Sequence, residues 1–212
     1  MALRIFTNLS SLNSQRAMSI NNARLGSSLE RIATGIRLQR SGDDIGAMSV
    51  SESLRGDVTA LKQGAKNLND GISMIQMADG ALNEQSSILI RLREITAQSA
   101  TGTIGNVERT SLQLEFSALR SEFDRIANTT EFNSRKLLDG SLAASSSDTT
   151  VLQLGLDSSD NNRFDLNQKI NLTAVTSSAL GFSTDSIATN TGATTAMANL
   201  TTAIDKLSTI RG

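Results

Sequence analysis

The stretch Ala47–Ser99, AMSVSESLRGDVTALKQGAKNLNDGISMIQMADGALNEQSSILIRLREITAQS, decides the fold. Every seventh residue of one column is aliphatic: Leu54, Leu61, Leu68, Ile75, Leu82, Leu89. A second column runs beside it through Val58, Ala65 and Ile72. Apolar residues that alternate at four and three mark a helix with one apolar seam. No proline interrupts it. At the rise of an α-helix, the spacing predicts a rod about 75–80 Å long. A seam this narrow cannot bury itself and requires partner helices. Gly56, Gly64, Gly71 and Gly80 lie inside the stretch, each costing about 0.8–1.0 kcal/mol relative to alanine. Asn69-Asp70-Gly71 is the one place where a turn could break the helix, but the leucine column crosses it in phase. After Ile72 the second column fails, its next slots being Asp79, Ser86 and Arg93. A shifted column, Ala78, Gln85, Leu92, takes over, a phase change that resembles a stammer.

Composition narrows the function classes. The chain has 212 residues, 20 Lys and Arg against 21 Asp and Glu, and a net charge of −1. Charges of both signs are interspersed, which argues against a nucleic-acid footprint. There is no cysteine and no histidine. Disulfides and thiolate chemistry are excluded, and the commonest metal ligand and general base are absent. With no Trp or Tyr and only six Phe, the core must be seams of Leu, Ile, Val and Ala. No run approaches the roughly 20 apolar residues of a membrane span. The start, Met1-Ala-Leu-Arg-Ile-Phe6, lacks an uninterrupted apolar region, so a cleaved secretory signal is not expected.

Upstream of the rod, residues 3–33 read as an amphipathic helix. Ile5, Phe6, Leu9 and Leu12 form one patch; Met18, Leu25, Leu29 and Ile32 form another. The stripe is thin, so the helix is marginal alone. It is either an ordinary packing helix or a segment that orders only inside an assembly. Gly35 fits a helix C-terminus, with Arg37 and Arg40 beyond it. Ser41, Asp43 or Asp44 can cap the rod; capping is the simpler role for the Asp pair, since no third metal ligand is near.

Downstream, Thr101–Asn106 reads as a turn and residues 107–128 as a second rod. Leu112, Phe116, Leu119, Phe123 and Ile126 repeat the four-three spacing. A short turn makes this rod the antiparallel neighbour of the first. Glu115, Arg120, Glu122, Asp124 and Arg125 lie off the stripe and read as a solvated face. The period then changes. Residues 132–140 form a short extended segment with a turn. Residues 150–156 and 164–172 alternate at period two and predict a β-hairpin, placed as a small cap at one end of the rods. Residues 183–195 read as a loop. Helical spacing returns from Thr195 through Met197, Leu200, Ile204, Leu207 and Ile210. The predicted class is mainly α: a long antiparallel coiled-coil-like bundle with a small β-hairpin region. The domains read as a terminal helix and connecting spoke (1–42), a rod domain (43–182), and a loop with the start of a further rod helix (183–212).

These residues carry a resemblance. Leu29–Asp44, Asn67–Gln76, Gly80–Glu84, Arg91–Ala100 and Phe132–Leu138 are similar, in order and spacing, to motifs of bacterial flagellin, the filament subunit. The chain resembles that family over nearly its whole length. The resemblance implies a non-enzymatic structural subunit, with no catalytic, cofactor or metal site. Such a subunit leaves the cell through the flagellar export apparatus, with a chaperone, and polymerises with copies of itself into the extracellular filament used for motility. The seam residues Leu54, Leu61, Leu68, Ile75, Leu82, Leu89, Leu112, Phe116, Leu119 and Phe123 are then the candidate filament contacts. The phase change near Asp79 becomes a candidate two-state element. The family is also recognised by a Toll-like receptor. Arg91 and Glu115 match that motif residue by residue, with Ile95 where leucine is usual and Ile90 where a polar residue is common. Family members continue through a longer C-terminal rod and a terminal helix; either this sequence is a fragment of a longer subunit, the simpler account, or Gly212 is a true C-terminus and the final helix is short.

Three other readings compete. A secreted helical-rod binding or adhesion module that forms no filament would show the same seams. The hinge-associated protein of the same filament shares the terminal-helix character but not the rod motifs. An enzyme lacks its constellation: Asp43, Asp44, Asp70 and Asp79 lie on or beside one helix, with no phosphate cradle.

Overall fold

The computed structural model describes residues 9–38, 42 and 44–212. The chain divides into two compact units, residues 1–59 and 60–212. In the first, helix α1 spans Leu9–Thr34. Helix α2, Ile45–Ala100, contributes residues to both units.

Helix α1 buries none of its residues. Leu9, Leu12, Met18, Leu25, Leu29 and Ile32 are all exposed. Gly35 ends the helix at φ +69°, its N–H donating to Arg31 O at 2.9 Å. That left-handed cap suits a residue with no Cβ. Asp44 caps α2, its Oδ1 accepting from Ala47 N at 3.0 Å. Ile5, Phe6, Arg40, Ser41 and Asp43, named above, lie outside the described residues.

The second unit is built on three long helices. Helix α2 crosses Asn69-Asp70-Gly71 without a break. Helix α3 spans Asn106–Thr129. Contacts pair Ser99 with Arg109, Arg91 with Glu115 and Gln85 with Phe123, so α3 runs antiparallel to α2. Two short helices follow, α4 (Leu166–Ile170) and α5 (Ser177–Leu180). Helix α6, Asn190–Arg211, then runs back along α2 and ends with Arg211 Nε 2.9 Å from Asp79 Oδ1. It starts ahead of the expected Thr195, because Thr189 supplies a cap to Gly192 N at 3.1 Å.

As far as Ile75, the buried face of α2 is not the face that the aliphatic column marks. Gly64, Gly71, Ala78, Gln85, Leu92 and Ser99 are all buried and repeat every seven residues without interruption. Leu82, Leu89 and Thr96 bury beside them. The expected phase change is therefore corrected: the period never shifts. The aliphatic column itself continues, exposed as far as Ile75 and buried at Leu82 and Leu89. Asp79 is not a seam defect either, since it holds the last turn of α6.

Large aliphatics from α2 meet Phe116 and Phe123 of α3 and Leu200 and Leu207 of α6, all essentially inaccessible. Burying each such side chain contributes about 1.5–3 kcal/mol. Phe123 meets Phe182 edge to face, centroids 5.3 Å apart at 74°.

Two small antiparallel sheets complete the unit. Strands β1 (Glu131–Phe132) and β2 (Arg135–Lys136) pair across Asn133 and Ser134, both at positive φ, the hairpin turn that matches strand twist. Strands β3 (Val151–Gln153) and β4 (Arg163–Asp165) pair with Leu152 opposite Phe164. The expected second strand, 164–172, stops at Asp165. There Asp165 accepts from Gln168 N and opens α4, which Asn171 closes in the left-handed region. Local capping overrides the period-two pattern. Helix α5 is a single turn, too short to show a period in the sequence.

Candidate functional site

Among the described residues, no group of three or more acidic side chains could hold a metal ion, and no helix is long and apolar enough to cross a membrane. What stands out is surface.

The first surface is the aliphatic column of α2. In the first unit Leu54 and Val58 are 57% and 49% exposed. In the second, Leu61, Leu68, Ile72 and Ile75 are between 40% and 48% exposed. Leu82 and Leu89, on the same column, are buried in the bundle. The ten predicted seam residues thus divide. Leu54, Leu61, Leu68 and Ile75 are open. Leu82, Leu89, Phe116 and Phe123 are spent inside the chain, with Leu112 and Leu119 half-buried. The division follows the reach of the partner helices. Helices α3 and α6 cover α2 only as far as its middle, and the β3–β4 hairpin covers the glycine face beyond.

The second surface is charged. Arg91 Nη2 and Nε both bond Glu115 Oε1, at 2.8 and 3.1 Å, and Arg91 Nη1 bonds Glu94 Oε2 at 3.1 Å. The Glu115 hydrogen bond, then that of Glu94, holds the guanidinium above its ordinary pKa. All three side chains are about half exposed, so water screens the pair and its stabilising value is small. Ile90 is exposed beside it. Ile95 is not: it is 1% exposed and packs in the core. The expectation that Ile95 faces a partner is corrected, because position 95 points into the bundle rather than at solvent.

Two polar residues expected on the solvated face of α3 are structural. Arg120 donates to Ser183 O, and Asp124 accepts from Ser177 N. Glu122 and Arg125 do lie exposed, paired with each other at 2.6 Å. Arg109, which no sequence pattern singles out, is 8% exposed and donates to Ser99 O at 2.9 Å and Thr101 O at 3.0 Å. It closes the carbonyl end of α2, where a cation also complements the helix dipole.

The fold and these surfaces define a helical-bundle protein organised on one long helix, with half of that helix's apolar stripe left open. The family model of the bacterial flagellin N-terminal helical region matches residues 5–143. The chain is 34% identical over 205 residues to the flagellar filament 30.7 kDa core protein of Treponema maltophilum, covering 93% of this chain and 70% of that one. It is 45% identical over 134 residues to a flagellin of Clostridium tyrobutyricum, covering 63% of this chain. Among solved structures, Bacillus cereus flagellin matches with a TM-score of 0.55 and 29% identity over 68% of this chain and 77% of that one. The chain belongs to the bacterial flagellin family. It spans 36% of the length of the Clostridium relative.

Proposed function

We propose that this chain is a structural, non-enzymatic subunit that polymerises into the bacterial flagellar filament and works in motility. One observation carries the reading beyond family membership: Leu61, Leu68, Ile72 and Ile75 stand open at four-three spacing in a chain of this family. An open column of aliphatics at that spacing is a surface for further helices. Those helices belong to neighbouring copies in the assembled filament. In this reading the protein passes through the flagellar export apparatus with its chaperone and is extracellular. Electron microscopy of concentrated protein, with and without filament seeds, tests it. Regular tubes or growth from seeds support it. Soluble monomers under both conditions overturn it.

The Arg91–Glu115 patch supports recognition by a Toll-like receptor, with exposed Ile90 rather than buried Ile95 as its apolar neighbour. Receptor reporter assays on Arg91→Ala and Glu115→Ala test this. Loss of signal with unchanged melting supports it, and full signal from both variants removes it.

A further inference from the structure

Between α4 and α6 the chain forms a strap that lies on α2 and α3. Its apolar residues Val175, Phe182 and Ile187 are wholly buried. Its backbone is held by helix side chains. Gln85 Nε2 donates to Val175 O at 3.1 Å, and Arg120 Nη1 donates to Ser183 O at 2.7 Å. Asp124 accepts from Ser177 N at 2.7 Å. Gln113 Oε1 accepts from Ile187 N at 2.6 Å, and Ser99 Oγ donates to Ile187 O at 2.6 Å. The contacts follow in order, so the strap runs parallel to α2.

Gln85 is the unusual member. It is 0% exposed, and it is the buried polar residue of α2 that reaches both α3 and the strap. One nitrogen serves two elements, Phe123 O and Val175 O, both at 3.1 Å. Its Oε1 has no partner among the described residues. A buried amide with unmet capacity costs stability. Its best-attested use in helical seams is to specify register.

Helix α6 needs such a specification. Its buried face is Ala193, Ala196, Leu200, Ala203 and Leu207, on which a slide of two turns brings Ala203 to the place of Ala196 and Leu207 to the place of Leu200. We propose that the strap is a register gauge. Gln85 and Gln113 set the axial position of residues 175–187 on α2 and α3, and the strap in turn sets where α6 begins, just after Ile187.

The chain has no cysteine, so spin labels can be placed at exposed Ser87 and Ser208 alone. The unaltered background is expected to show one narrow distance between them. Gln85→Met, which keeps the side chain's length, is expected to melt at the same temperature or higher. It is also expected to add a second, resolved distance population, from a slide of α6 by about 10.5 Å along α2, two helical turns. A single unchanged distance in Gln85→Met overturns the proposal. A second pair of variants decides the matter if Gln85→Met does not fold. Gln113→Met removes the acceptor and is expected to speed hydrogen exchange at the Ile187 amide about tenfold, the loss of one hydrogen bond. Gln113→Glu keeps the acceptor and is expected to restore protection. Equal exchange in both variants overturns the proposal.

Discussion

Gly64 of α2 lies against the main-chain carbonyl of Leu154, so close that a methyl group on Gly64 would collide with it. One heptad on, a methyl on Gly71 would meet the Leu152 side chain. Between them, Asn67 Nδ2 donates to Gln153 O at 2.9 Å. The hairpin thus sits in a slot that two absent side chains make.

Two glycines of the same helix should therefore respond with opposite signs. At Gly80 a Cβ would find open space, with nothing within 4 Å, so Gly80→Ala should stabilise by about 0.8–1.0 kcal/mol through helix propensity. Gly64→Ala should destabilise by about 1–3 kcal/mol, since rigid backbone must move. Urea unfolding of the two variants measures both.

One column of α2 should likewise give two answers. Leu89→Ala opens a cavity in the bundle and should cost about 2–5 kcal/mol. Leu61→Ala, on the same column but 48% exposed, should change stability by only about 0.5 kcal/mol. Its effect should appear in filament assembly. Equal stability losses would mean that the stripe near Leu61 is already covered within the chain.

Arg109 should behave as a cap rather than as a surface charge. Arg109→Met strips donors from Ser99 O and Thr101 O, leaving the buried Ser99 carbonyl unsatisfied at about 1–3 kcal/mol. Hydrogen exchange should accelerate first in the last turn of α2. Arg125→Met, at an exposed pair, should leave melting nearly unchanged.

Asp157 offers a pH test. Its carboxylate accepts from Ser159 Oγ, from Asn162 Nδ2 and from Ser159 N, and these bonds, in that order, hold its pKa below the ordinary value. A depressed folded pKa means that the charged form is favoured by folding. The contribution is whole above the ordinary aspartate value, about 3.9, and is lost as pH falls through the lower folded one. An NMR titration should place the Asp157 midpoint below that of an unstructured aspartate, and Ser159→Ala should raise it. A midpoint at the ordinary value in the unaltered chain would remove the claim.

What is legible in this chain depends on the reach of the interactions involved. The long helix, its antiparallel partner and the caps at Gly35 and Asp44 follow from residues within a turn or two of each other. The second strand is cut short because Asp165 caps a helix across a segment whose alternation favours an extended chain. The strap leaves no local signal, since its partners lie 53 to 90 residues away. Arg91 and Glu115 carry a motif and do meet across two helices. Ile95 belongs to the same motif but points inward, and nothing local distinguishes an inward isoleucine from an outward one.

By itself, the sequence determined the helices, their approximate ends and the absence of thiol and imidazole chemistry, because propensity, capping and composition act locally. Which face of α2 is buried was decided only in three dimensions. Leucines mark one column, yet the hairpin needs close backbone approach and selects the column of Gly64 and Gly71, where the lack of a side chain is what permits contact. Packing rewards shape as well as hydrophobicity, and shape belongs to both partners at once.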